Sequence, residues 1–416
     1  MRKTLLVTLV SLLVGGCMVG PDYVRPPVDA PAAWRLTEPQ AKDLANTAWW
    51  EQFGDPVLNE LVATALRENK DLLIASARVD EFAGKYGFVR SGLFPQVGAG
   101  YEAKRQRDIT AVVIGAGEGA TFNSYSAVLN ASWEIDIWGR IRRQTEAANA
   151  QFLASEEGRQ GVILSLVGSV AGAYINLRNL DRQLEIAKAT AKSRGESYEL
   201  FRLRFEGGVI SVLELSQNKS QYEEALASIP PLEKAIAQQE NGLSVLLGRN
   251  PGPIVRGKDI DQFVLPAIPA GLPSELLERR PDIRRAEQKL IAANAQIGAA
   301  KAAYFPTISL TGLFGYASPS FSNLFNSENK VWQYSAPITM PIFTAGAIAG
   351  QVQAAEAVQQ QALFGYQKAI QEAFREVDDS LINQDRTREQ LLAQRRQVEA
   401  LQQYASTARL RYDNGY

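Results

Sequence analysis

The sequence predicts an α+β membrane protein: a β-barrel closed by strands from several copies, four from each chain, continued by a long α-helical coiled-coil barrel, with an internal duplication in every chain. Three observations predict it: two segments of strict period-2 alternation, two proline-free helical stretches too long for a globule, and a self-match at a nearly constant offset. The 416 residues are 46% apolar and 21% charged, a folded composition. There is no His and one Cys, Cys17, which excludes His-based triads, His or Cys zinc sites, haem attachment and internal disulfides. No catalytic, cofactor-binding or metal residue is expected. A net charge of -1 gives no footprint for nucleic acid. The absence of a long apolar run after the N-terminus excludes a multi-span helical protein but not a barrel, whose lipid-facing signal alternates.

The N-terminus reads as a lipoprotein signal peptide over residues 1–16. Arg2 and Lys3 form its charged region, residues 4–14 its apolar region, and Gly15-Gly16 lead to Cys17, the expected lipidation (palmitate) site. Met18 rather than Asp follows, the pattern of outer-membrane sorting. Residues 17–56, with Pro21, Pro26, Pro27, Pro31 and Pro39, read as a lipid-anchored extended tether running over a surface.

Sliding the chain by 207 aligns Gly139–Gly208 with Gly346–Gly415 with 18 identities in 70 positions. A second block fits at 211, pairing Gly87 with Gly298 and Phe94-Pro95 with Phe305-Pro306. The first repeat is therefore 57–250: a helix, a hairpin at 95–138, and long helices at 139–206 and 212–247, broken at Pro230-Pro231. A linker at 251–273 leads to the second repeat, 274–416, with a helix, a hairpin at 306–343 and a long helix at 346–412.

Within 124–137 the odd positions are apolar, including Tyr125, Leu129 and Trp133; within 332–342 the apolar set is Trp332, Tyr334, Ala336, Ile338, Met340 and Ile342. A half-buried soluble sheet shows the same alternation. The lipid signal favours a membrane strand of about ten residues, with Tyr125, Trp133, Trp332 and Tyr334 as a lipid-facing aromatic girdle. Four strands cannot close a barrel, so oligomerisation is implied. Glu134 and Asp136 are the best carboxylate pair for an enzyme such as a glycosidase, but on one strand face beside polar neighbours they read as lumen charges. Gly207-Gly208 and Asn414-Gly415 end the long helices with residues suited to tight reversals.

MVGPDYVRP (18–26), WEIDIWGRIRR (133–143), LSVLLGRNPG (243–252) and RPDIRRAEQKLIAANAQIGAAKAAYFP (280–306) resemble the TolC-like outer-membrane factors, in their lipoprotein NodT/OprM-type efflux branch. The resemblance implies a homotrimer whose barrel crosses the Gram-negative outer membrane, contacts its lipid and extends into the periplasm. It implies a passive exit duct for drugs or other small molecules, without chemistry or cofactor, joined to an inner-membrane RND-type transporter through a periplasmic adaptor (membrane fusion) protein. The outer-membrane channel of a type I protein secretion system is the alternative, and a non-conducting periplasmic spacer a further one. Phe205, Gly207, Gly208, Tyr412, Asn414 and Gly415 match the periplasmic tips that an adaptor grips, and Tyr412 matches an aromatic near the gate. Tyr416 pairs with Val209 in the repeat, so a counterpart of 210–250 is not in the sequence, and the chain is expected to be a fragment lacking the remaining gate residues.

Overall fold

A computed structural model describes residues 18–28, 48–108, 119–264 and 275–414. Cys17 and Gly415 lie outside the described residues. The elements run α1 (Pro56–Glu68), α2 (Lys70–Ser91), β1 (Gln96–Asp108), β2 (Ala120–Ile135), α3 (Arg140–Glu206), α4 (Val212–Ala227), α5 (Ile229–Leu246), α6 (Leu276–Arg279), α7 (Pro281–Ala302), β3 (Thr307–Ser318), β4 (Lys330–Ser335), β5 (Ile338–Thr339) and α8 (Ala347–Asp413).

The duplication is carried into the element boundaries. Helices α2 and α7 both have 22 residues, 211 positions apart, and α3 and α8 both have 67, 207 apart. At a rise of about 1.5 Å per residue each long helix measures about 100 Å.

Two compact units divide the chain. The first combines residues 1–28, 79–156 and 283–369 and holds the sheet; the second combines 29–78, 157–282 and 370–416. In the second unit Asp55 caps α1, accepting from the Val57 amide at 2.8 Å, with Pro56 at the first helical position where its missing N–H costs nothing. One opening helix was expected, but Asn69 divides it into α1 and α2. Its amide closes α1 on the Ala65 carbonyl at 2.9 Å, and its side-chain oxygen accepts from the Leu72 amide at 3.0 Å. Leu58, Leu61, Val62, Ala65 and Leu72 pack with Leu166, Val167, Val170, Tyr174 and Leu177 of α3 and Leu243 and Leu247 near the end of α5. Those α3 residues recur at helical spacing on one face, so one stripe of a very long helix supplies this core.

In the first unit, β1–β2–β3–β4 pair antiparallel in that order, with β5 also on β3. The alternation of 332–342 predicts one strand; the chain forms β4, then β5 of two residues. Pro337 causes the break, because it has no N–H to give to the ladder, while its carbonyl still accepts from the Ser309 amide at 3.1 Å. Small residues bring α3 and α7 together, with Ala147 and Ala150 buried against Ala292 and Ala295.

Candidate functional site

The strand register sorts the sheet into two chemically different faces. Leu129 pairs with Ala99 on one side and Phe314 on the other, and Phe314 pairs with Trp332. Trp133 opposes Leu310, Ala127 opposes Tyr101 and Tyr316, and Tyr334 opposes Gly312. Directly opposed residues share a face, so Tyr125, Trp133, Trp332 and Tyr334 lie on one apolar face with Val97, Tyr101, Leu129 and Phe314. Much of that face is exposed: Trp332 at 65%, Tyr334 at 79%, Leu129 at 53%. The reverse face carries Glu102, Lys104, Ser126, Asn130, Glu134, Thr311 and Gln333.

Where β2 passes into α3, the segment from Trp133 to Arg143 is a clasp. Glu134 accepts from Nε and Nη2 of Arg140, at 3.1 and 2.7 Å. Asp136 lies beyond the strand, and its carboxylate accepts from the Ile141 and Arg142 amides at 3.0 and 2.8 Å, satisfying free donors at the start of α3. Glu134 stays on the polar face, and both carboxylates of this pair are also bound to the helix that follows, which gives them a structural role as well. Trp138 donates to the Pro306 carbonyl at 2.8 Å and stacks on Phe305 at 4.6 Å. Gly139 turns the chain at φ +78°, and Met18 lies where a side chain would begin.

The segment 18–28, expected as a tether over a surface, is strapped along α7. The Val19 amide donates to the Trp138 carbonyl at 3.0 Å. The backbones of Gly20 and Gly298 touch, since a Cβ on Gly20 would sit 2.4 Å from the Gly298 Cα. Buried Arg143 reaches Asp22 at 2.6 Å and Glu146 at 2.8 Å; Asn294 donates to the Pro21 carbonyl at 3.0 Å. Glu287 then takes Tyr23 at 3.1 Å and Arg25 at 2.7 Å. Burial first, and then the Glu287 carboxylate, push the Tyr23 hydroxyl well above its ordinary range, so it stays a donor. These contacts account for both the GPDYVR motif and Gly298. Sequence reasoning saw each motif but not that they meet, and the pairing of two glycines with a string of complementary polar residues was its available signal.

The second unit has its own buried polar cluster. Asp55, fully buried, accepts from Tyr174 Oη at 2.9 Å and the Lys258 amide at 3.0 Å, while Tyr174 accepts from the Gly257 amide at 2.8 Å. Burial above all raises the Tyr174 hydroxyl to about 12. Arg178 binds Asp181 and Asp259, both at 2.6 Å, and the Lys258 carbonyl at 2.9 Å, and Arg256 bridges Asp181 and Glu240. Arg280 is held by Asp282 and Glu376, each at 2.6 Å, and these two acids raise its pKa further. Every one of these groups has a structural partner, and among the described residues no cluster suited to a metal ion occurs.

The tip of α3 ends as its glycines predict. Gly208 takes φ +71°, its amide returns to Phe205 at 2.9 Å and the Val209 amide to Arg204 at 2.9 Å. Gly207 bonds back to Leu203 at 3.0 Å, and only Gly208 of the pair needs the left-handed region. A capping box at Ser211 and Glu214 starts α4. Phe205 is 39% exposed beside this turn. At the end of α8 the Asn414 side chain donates to the Leu410 carbonyl at 2.7 Å. Tyr412 lies in the last turn of that helix, its side chain outside the described set.

A two-faced sheet whose two sets of strands each lead into a long helix is the architecture that the comparisons identify. The family model described as outer membrane efflux protein matches residues 61–249 and 272–416. The chain belongs to this family. It is 38% identical over 424 residues to the toluene efflux pump outer membrane protein TtgC of Pseudomonas putida, covering 100% of this chain and 87% of that protein. It is 34% identical to the cation efflux system protein CusC of Escherichia coli, covering 99% and 90%. Among solved structures, the open state of the MtrE outer membrane channel of Neisseria gonorrhoeae superposes with a TM-score of 0.87 at 32% identity, covering 96% of this chain and 89% of that one. The sheet and long helices thus have the fold of outer-membrane efflux channels, and the protein is an outer-membrane exit duct for efflux.

Proposed function

We propose that three copies close a twelve-stranded barrel with the apolar face toward lipid and the polar face lining a water-filled pore, through which small molecules leave without chemical change. The observation that carries this reading is the register, which collects Tyr125, Leu129, Trp133, Phe314, Trp332 and Tyr334 on one face and leaves the charges Glu102, Lys104 and Glu134 on the other. Met18 packs at Gly139, where β2 meets α3, and Cys17 is one residue away. A lipid on Cys17 would therefore sit in the periplasmic leaflet, and the hairpin ends near 108–120 and 318–330 would face outside. Phe205, Gly207, Gly208 and Asn414, with Gly415 and the gate aromatic Tyr412, form tips for a periplasmic adaptor, which connects the duct to an inner-membrane transporter. As a conduit the chain needs no catalytic group.

Leu129 lies mid-sheet between Ala99 and Phe314. Leu129→Arg should cost about 2–4 kcal/mol in membrane assembly, while Asn130→Arg should assemble and change ion selectivity. Heat-stable trimers on a gel and single-channel recordings read both effects. Normal assembly of Leu129→Arg together with failure of Asn130→Arg would reverse the faces.

A further inference from the structure

We propose that the outward face of β1, at the hairpin end, binds the phosphate groups of the glycolipid in the outer leaflet, through Arg105 and Arg107. This rests on the lipid-facing assignment above. The end of β1 reads YEAKRQRD, and the strand pleat sorts its charges. Tyr101, Ala103, Arg105 and Arg107 continue the apolar face; Glu102, Lys104, Gln106 and Asp108 continue the polar one. Both acids thus fall on the reverse face, and the outward face ends in two cations. Both arginines are exposed, and neither forms an ion pair among the described residues.

The height is right for headgroups. Trp133 marks the end of the apolar face near α3, and Arg105 and Arg107 pair with Asn123 and Thr121, ten and twelve residues farther along β2. At about 3.3 Å per residue and a tilt of about 40°, that is roughly 25 and 30 Å along the barrel axis, against an apolar band of about 25 Å. The guanidinium groups would clear the hydrocarbon and meet the outer headgroups, where a flat, multiply donating cation suits phosphate oxygens.

The neighbouring hairpin supplies the apolar complement at the same end. Phe321 packs edge-on against Tyr125 at 5.8 Å and Phe325 against Tyr316 at 5.6 Å, so both rings adjoin residues of the outward face. They remain 60% and 68% exposed, while Leu324 between them is fully buried. Exposed aromatics beside unpaired arginines, continuous with the lipid-facing band, match a lipid carrying phosphate above acyl chains.

The test uses the full-length protein in mild detergent, with diphosphorylated lipid A and its dephosphorylated form as probes and native mass spectrometry as the readout. The wild type should retain the phosphorylated form about tenfold better, and Arg105→Gln/Arg107→Gln should lose about tenfold of that retention. Lys104→Gln, on the reverse face, should bind as the wild type does. Arg105→Lys/Arg107→Lys should keep most of the binding, which separates charge from any fault in folding. Equal retention of both lipids, or undiminished binding by an assembled Gln pair, would overturn the proposal. Loss in Lys104→Gln but not in the Gln pair would overturn it through inverted faces, whereas the Leu129 and Asn130 variants behaving as expected would confine a failure to this site.

Discussion

Helices α3 and α8 begin as copies of one another and are held in opposite ways. No charged group of the α3 clasp is matched by a charge in the second copy: Glu134 corresponds to Pro341, Asp136 to Phe343, Arg140 to Ala347, Arg142 to Ala349 and Arg143 to Gly350. Farther along, Tyr174 and Arg178, which bind the 254–259 segment, correspond to Leu381 and Asp385. Helix α3 also receives the α4–α5 return, with Tyr198 stacked on Tyr222 at 6.0 Å and Arg194 bonded to Gln221 at 2.8 Å. By contrast, among the described residues the joint before α8 carries no such ties: Ile342 and Phe343 are 95% and 88% exposed. The difference teaches that the joint before α3 is tied within the chain by charge, while the matching joint before α8 leaves apolar residues outward. In the proposed trimer, that surface is where neighbouring copies would meet.

The most forceful way to break this contrast is a matched pair of substitutions in the repeat. A Cβ at Gly298 would lie 2.6 Å from the Val19 carbonyl oxygen and 2.9 Å from Arg143, whereas its counterpart Gly87 has nothing within 4 Å. Gly298→Val should therefore lift the strap and cost about 2–3 kcal/mol, and Gly87→Val should stay within about 0.5 kcal/mol. Unfolding midpoints in detergent compare the two, and equal losses would show that the strap contributes nothing.

Tyr174→Phe should cost about 1–3 kcal/mol, because it strips the Gly257 amide and Asp55 of a buried partner. The wild type should also weaken in alkali. A hydroxyl raised to about 12 in the folded state contributes stability fully below 10, the ordinary Tyr value, and loses it as pH rises toward 12. The Phe variant should show a smaller fall, the raised Tyr23 hydroxyl supplying what remains, and a denaturation series between pH 9 and 12 would detect the difference. Smallest of the three, Asp136→Ala should cost about 1–2 kcal/mol by freeing two amides at the start of α3. Phe343→Ala should leave the unfolding of a single chain nearly unchanged, since that ring is exposed there. An equal loss at both positions would erase the distinction between a clasped joint and an open one.

Much of this was legible in the sequence for a physical reason: repeats and alternation are local signals. The offsets of 211 and 207 reappear as the boundaries of α2, α7, α3 and α8, and the period-2 faces survive because a register slip would expose the wrong face. What local pattern could not show was which distant groups meet. The alternation places Glu134 and Asp136 on one face but does not show that the start of α3 binds both, and the strap on α7 pairs residues more than 260 positions apart. The break at Pro337 and the division at Asn69 carried signals in the residue types themselves, proline without a donor and asparagine as a cap, that the alternation and the helical period outweighed.

The strap also works as a ruler. From Gly20 to Arg25 the chain advances five residues, while its partners on α7 run from Gly298 back to Glu287, eleven residues. Five extended residues at about 3.1–3.3 Å and eleven helical ones at about 1.5 Å both come to about 16 Å. The two scales coincide only at this count, so adding or deleting one residue between Pro21 and Arg25 would shift the strap by about 3 Å and uncouple either the glycine contact or the Glu287 pair. Gly20 admits no side chain, but elsewhere along the segment substitutions should be tolerated more readily than changes of length, and lineages of the protein should vary there in residue type before they vary in number.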